Sequence, residues 1–74
     1  MSREEVTKIL NGKNGKDYKM LLEFCKAART GGEIMKVRVK KDVFAILVEL
    51  KGKGAIAFTE GKYYTTPLGL EALG

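Results

Sequence analysis

Seventy-four residues with one cysteine, Cys25, and no histidine suit a single domain over residues 1–74 and exclude an internal disulfide and an ordinary zinc set. Hydrophobic residues at 45% and charged residues at 31% give the balance of a globular chain, without an apolar run near the roughly 20 residues of a membrane span. The formal net charge of +5 favours polyanionic partners.

Ser2-Arg3-Glu4-Glu5 has the capping-box pattern, and Val6, Ile9 and Leu10 then recur at helical spacing, which predicts a helix over about 3–11. Asn-Gly occurs twice between Asn11 and Lys16 and marks a loop. Asp17 reads as the N-cap of a second helix over about 17–30. Met20, Leu21, Phe24, Cys25 and Ala28 lie on its apolar arc, and Gly31-Gly32 is its stop. Met35, Val37 and Val39 then alternate with Lys36, Arg38 and Lys40, the period of a half-buried strand over 34–40. A short irregular helix is the alternative there.

Asp42 caps a third helix over about 43–52, with Val43, Ile46, Leu47 and Leu50 as its stripe and Lys51-Gly52-Lys53-Gly54 as its end. Residues 55–65 read as a hairpin turning at Glu60-Gly61, which sets Phe58 opposite Tyr63. Thr66-Pro67 opens a final helical turn carrying Leu68, Leu70 and Leu73.

Two segments carry a family likeness. One is Leu50-Lys51-Gly52-Lys53-Gly54-Ala55-Ile56-Ala57-Phe58, and the other runs from Gly61-Lys62-Tyr63-Tyr64 through Thr65-Thr66-Pro67-Leu68-Gly69 to Leu73. With the order of elements, they resemble the winged-helix superfamily of archaeal and bacterial regulators. The likeness spans residues 47–73. It implies an α+β winged-helix-like domain with about three helices, a three-stranded antiparallel β-sheet with its wing, and a short C-terminal helical turn. The interval from Gly32 to Gly54 looks too short for two full helices, so the family's usual second helix is expected to be lost or replaced by the 34–40 strand.

The likeness and the net charge imply a small basic DNA-binding protein, a transcriptional regulator, and a chain this short without a disulfide or metal is expected to gain stability as a homodimer. Lys36, Arg38, Lys40 and Lys41, with Lys51, Lys53 and Lys62, are the candidate phosphate contacts. Residues 32–54 hold six cations against three anions, and residues 55–74 one against two, so positive charge is concentrated before the hairpin. The strand lysines also fit a solvated, protected sheet edge. The third helix is nearly all apolar, which predicts weak or shape-based readout of sequence.

Phe44 and Val48 lie one turn apart, off the stripe of that helix. Either they face outward as a dimer or partner surface, or other elements cover them. A winged-helix interaction module without a nucleic-acid role is therefore the alternative function. Tyr63, Tyr64 and Cys25 read as packing residues. Lys51-Gly52-Lys53-Gly54 lacks phosphate-loop spacing. No acid–base constellation marks an enzyme, and no cofactor or metal is expected. A lone cysteine fits the cytoplasm, and plentiful Lys and Glu without Gln, His or Trp resemble thermophile usage.

Overall fold

A computed structural model describes residues 3–74. Ser2, the expected cap of the first helix, lies outside the described residues. The elements in chain order are α1 (Arg3–Leu10), α2 (Gly15–Phe24), α3 (Gly31–Ile34), α4 (Val43–Gly52), β1 (Ile56–Thr59), β2 (Lys62–Thr65) and α5 (Pro67–Leu73). The chain is thus α+β, with a two-stranded antiparallel sheet. No described helix is long and apolar enough to cross a membrane.

The core forms where the apolar stripes meet. Val6 and Leu10 from α1, Leu21 and Leu22 from α2, Ile34 from α3, and Ile46, Leu47 and Leu50 from α4 are buried, together with Cys25, Ala55 and Ile56. Helix α5 packs across α1 and α2. The approach is close at Gly69, where a Cβ would stand 2.5 Å from the carbonyl oxygen of Ala55.

Helix α2 differs from its expected bounds at both ends. It starts at Gly15, with Asn14 at the N-cap position. Asp17 sits inside the first turn, and its carboxylate serves a distant loop rather than its own helix. The helix stops at Phe24 because tertiary donors take its last carbonyls. Thr65 Oγ1 donates to Leu22 O at 2.6 Å, Arg29 Nε to Phe24 O at 2.9 Å, and the Thr65 N–H to Cys25 O at 2.8 Å. Ala28, expected on the apolar arc, is exposed, and so is Met20.

The expected strand over 34–40 is absent. Thr30 and Glu33 form a capping box: the Thr30 hydroxyl accepts the Glu33 N–H, and the Glu33 carboxylate accepts the Thr30 N–H. That starts α3, a single turn, where Gly31-Gly32 alone suggests only a stop. Residues 35–42 then run as irregular chain. Val37 and Val39 remain half-buried between exposed Lys36, Arg38 and Lys40, so the alternation survives without a ladder. Met35, expected inward, is exposed.

The third strand is correspondingly reduced to one bridge elsewhere. Arg29 and Tyr63 exchange both backbone hydrogen bonds, at 2.8 and 2.7 Å.

The later elements follow the sequence closely. The Asp42 carboxylate accepts the Phe44 N–H at 3.0 Å and caps α4. In the hairpin Phe58 faces Tyr63, with ring centroids 4.6 Å apart. Glu60 and Gly61 both take positive φ, 51° and 79°, the tight turn whose twist matches the strands. Thr66 caps α5 by accepting the Gly69 N–H and donates to Gly54 O at 2.5 Å.

Candidate nucleic-acid interface

The corner between α1 and α2 allows no side chain at Gly15, where a Cβ would collide with the Leu10 carbonyl. Glycine there brings Lys13 and Asn14 tight against the start of α2, and Lys16 follows within the first turn. Asp17, also in that turn, is buried. Its Oδ2 accepts the backbone N–H groups of Lys40 and Lys41 at 3.1 and 3.0 Å. These charge-assisted bonds tie the irregular chain before α4 to the start of α2.

The result is a cationic hollow. Lys13 and Lys16 come from one side, and Arg38 and Lys40 from the other, around an open space of about 500 Å³. Its lining also includes Asn14 and Asp17, and Met20 and Val39 supply apolar surface. Four cations thus stand against one carboxylate, whose Oδ2 is occupied by backbone amides. Arg38 and Lys40 were candidates from sequence; Lys13 and Lys16 were not. A pair of lysines flanking a helix start is a usable signal, because helix N-termini favour anions.

The remaining candidates divide by their neighbours. Lys41 Nζ donates to the Tyr18 hydroxyl at 2.8 Å and lies 3.6 Å from Glu49 Oε1, while the Tyr18 hydroxyl donates to Glu49 at 2.5 Å. The bond to Tyr18 holds the Lys41 ammonium above its ordinary pKa. Burial, and then Glu49, push the Tyr18 hydroxyl above its own. Lys53 Nζ lies 3.0 Å from Glu5 Oε2, and that hydrogen bond lowers the Glu5 carboxyl. Lys41 and Lys53 therefore answer carboxylates of their own chain. Lys36, Arg38, Lys40, Lys51 and Lys62 have no ion pair among the described residues. Lys51 lies in the last turn of α4, and Lys62 starts β2 beside the hairpin turn.

No protein family, curated protein or solved structure was found that matches this chain.

Phe44 and Val48 are 54% and 53% exposed, so neither the chain over 35–42 nor α1 covers them. With Lys51 they follow one another at spacings of four and three residues along the open side of α4. The buried side is the stripe of Ile46, Leu47 and Leu50. Cys25 is fully buried, and burial raises its thiol to about 11, which keeps it protonated and inert. Ammonium and guanidinium groups gathered on a rim can hold phosphate oxygens.

Proposed function

We propose that this chain is a small winged-helix-type DNA-binding protein that grips the duplex mainly through its phosphates. The observation carrying this reading is the gathering of Lys13, Lys16, Arg38 and Lys40 around one open hollow between the start of α2 and the chain leading into α4. Each phosphate neutralised there releases condensed counterions, and this favours binding. The order helix α2, the Arg29 bridge, helices α3 and α4, and the β1–β2 hairpin is in keeping with a winged helix. In that reading α4 is the recognition helix and the Glu60-Gly61 turn, with Lys62, is the wing.

The open side of α4 bears on specificity. Phe44 and Val48 are apolar and exposed, suited to thymine methyl groups and unable to read hydrogen-bonding edges. Readout is accordingly weak and biased toward shape. A role as an intracellular transcriptional regulator fits this mode.

The test is titration of labelled duplex across salt concentration. Affinity should fall steeply between about 50 and 200 mM salt. Absence of binding to any duplex at the lower value would overturn the reading.

The same exposure of Phe44 and Val48 favours a second reading, a homodimer or partner-binding module. Sedimentation of the wild type and of Phe44→Ser, with and without duplex, separates the two. A dimer lost on that substitution without any duplex binding supports the second.

A further inference from the structure

The hollow at the start of α2 has more than charge. Phosphate contacts on a duplex need only cations on a surface, whereas this space of about 500 Å³ falls within the size range of small-molecule sites. Its lining is mixed. Met20 is 47% exposed, an adaptable apolar side chain with much of its surface open to contact, and half-buried Val39 joins it in the wall. Lys13, Lys16, Arg38 and Lys40 supply the positive rim. The Asn14 side chain makes no capping bond to α2, so its amide can serve a ligand.

The two walls are held in fixed relation. Asp17 binds the amides of Lys40 and Lys41, so the loop half of the site does not have to be ordered when a ligand arrives. That removes part of the entropic cost of binding. The rim outweighs the one carboxylate, which selects an anion of more than one charge. The apolar wall adds contact for an organic body that bare phosphate lacks.

We infer that this hollow is a binding site for an organic phosphate of nucleotide size, its phosphate on Lys16 and Arg38 and its body against Met20 and Val39. The site does not depend on duplex binding, although its ligand would occupy Lys16 and Arg38 and so compete with a duplex.

The experiment is a heteronuclear NMR titration of the ¹⁵N-labelled chain with adenosine 5′-monophosphate, and in parallel with inorganic phosphate and with adenosine. Saturable shifts confined to residues 13–20 and 38–41 are expected, with the nucleotide binding about tenfold tighter than either fragment. Lys16→Ala and Arg38→Ala, both at exposed positions, should each weaken it about tenfold, and Lys26→Ala, exposed and outside the hollow, should not. Equal affinity for inorganic phosphate and nucleotide would overturn the proposal. So would shifts spread over all surface lysines, or an equal loss in Lys26→Ala. Duplex affinity, measured separately without nucleotide, reports on the other reading alone.

Discussion

The carboxylate of Asp17 accepts the backbone N–H of Lys40 at 3.1 Å, joining the first turn of α2 to the chain that enters α4. The same oxygen takes the Lys41 N–H. Replacing it therefore loosens the loop that carries Arg38 and Lys40 without removing a cation. Asp17→Ala should cost about 2 kcal/mol, from two charge-assisted bonds partly replaced by water. For a chain this short that lowers Tm by roughly 10 °C. Calorimetry checks the stability, and duplex affinity should fall at a temperature where the variant is still folded.

Gly15 and Gly52 make an opposed pair. A Cβ at Gly15 meets the Leu10 carbonyl, backbone that cannot yield cheaply, whereas one at Gly52 meets nothing within 4 Å. Gly15→Ala should destabilise by about 2–3 kcal/mol through overpacking. Gly52→Ala, at the end of α4, should stabilise by about 0.5–1 kcal/mol by restricting the unfolded chain. Urea midpoints of the two variants against the wild type decide both signs.

Alkaline pH should unfold this protein early. The Cys25 thiol is raised from 9.0 to about 11, and Tyr18 and Lys41 are raised as well, so the folded chain holds these protons more tightly than the unfolded one. Their stabilising contribution is complete below the unfolded values and is lost as pH climbs through the folded ones. For Cys25 the loss across pH 9 to 11 is about 2 kcal/mol. Cys25→Ala should show a flatter decline over that window in urea titrations. Glu5 and Glu33 are lowered, and their contribution is lost only as pH falls below the ordinary carboxylate range.

The cations should separate into two groups in duplex titrations. Arg38→Ala and Lys40→Ala should each reduce the salt slope of binding by about 1. Lys41→Ala and Lys53→Ala remove side chains already paired with Glu49 and Glu5. They should leave that slope unchanged, and Lys53→Ala should cost at most about 1 kcal/mol of stability. A salt slope reduced by about 1 in the Lys41 variant would contradict this division.

Helices α1 and α4, the hairpin and the start of α5 were legible because each is decided within a few residues. Asp42 caps its own helix, Glu60-Gly61 makes its own turn, and Thr66-Pro67 opens its own helix. The region from Phe24 to Lys41 was not legible in the same way. Its Thr30–Glu33 capping box is a local signal that the neighbouring glycines masked. The end of α2 is set by Thr65 and Arg29, the former 43 residues away from its acceptor. The valine alternation at 37 and 39 looks like a strand, yet the amides of Lys40 and Lys41 go to Asp17. Nothing in the period of a sequence records that choice.

The amino acids alone determined the charge, the buried stripe of α4 and the caps at Asp42 and Thr66, since these depend on side-chain chemistry over one or two helical turns. They also marked Phe44 and Val48 as lying off the α4 stripe. Which cations share a site was decided only by the folded chain. A single carboxylate draws residues 40 and 41 onto residue 17, setting Lys13 and Lys16 beside Arg38 and Lys40 and leaving Lys41 to Tyr18 and Glu49. Long-range hydrogen bonds choose partners by position in space, and that position exists only after the core has packed.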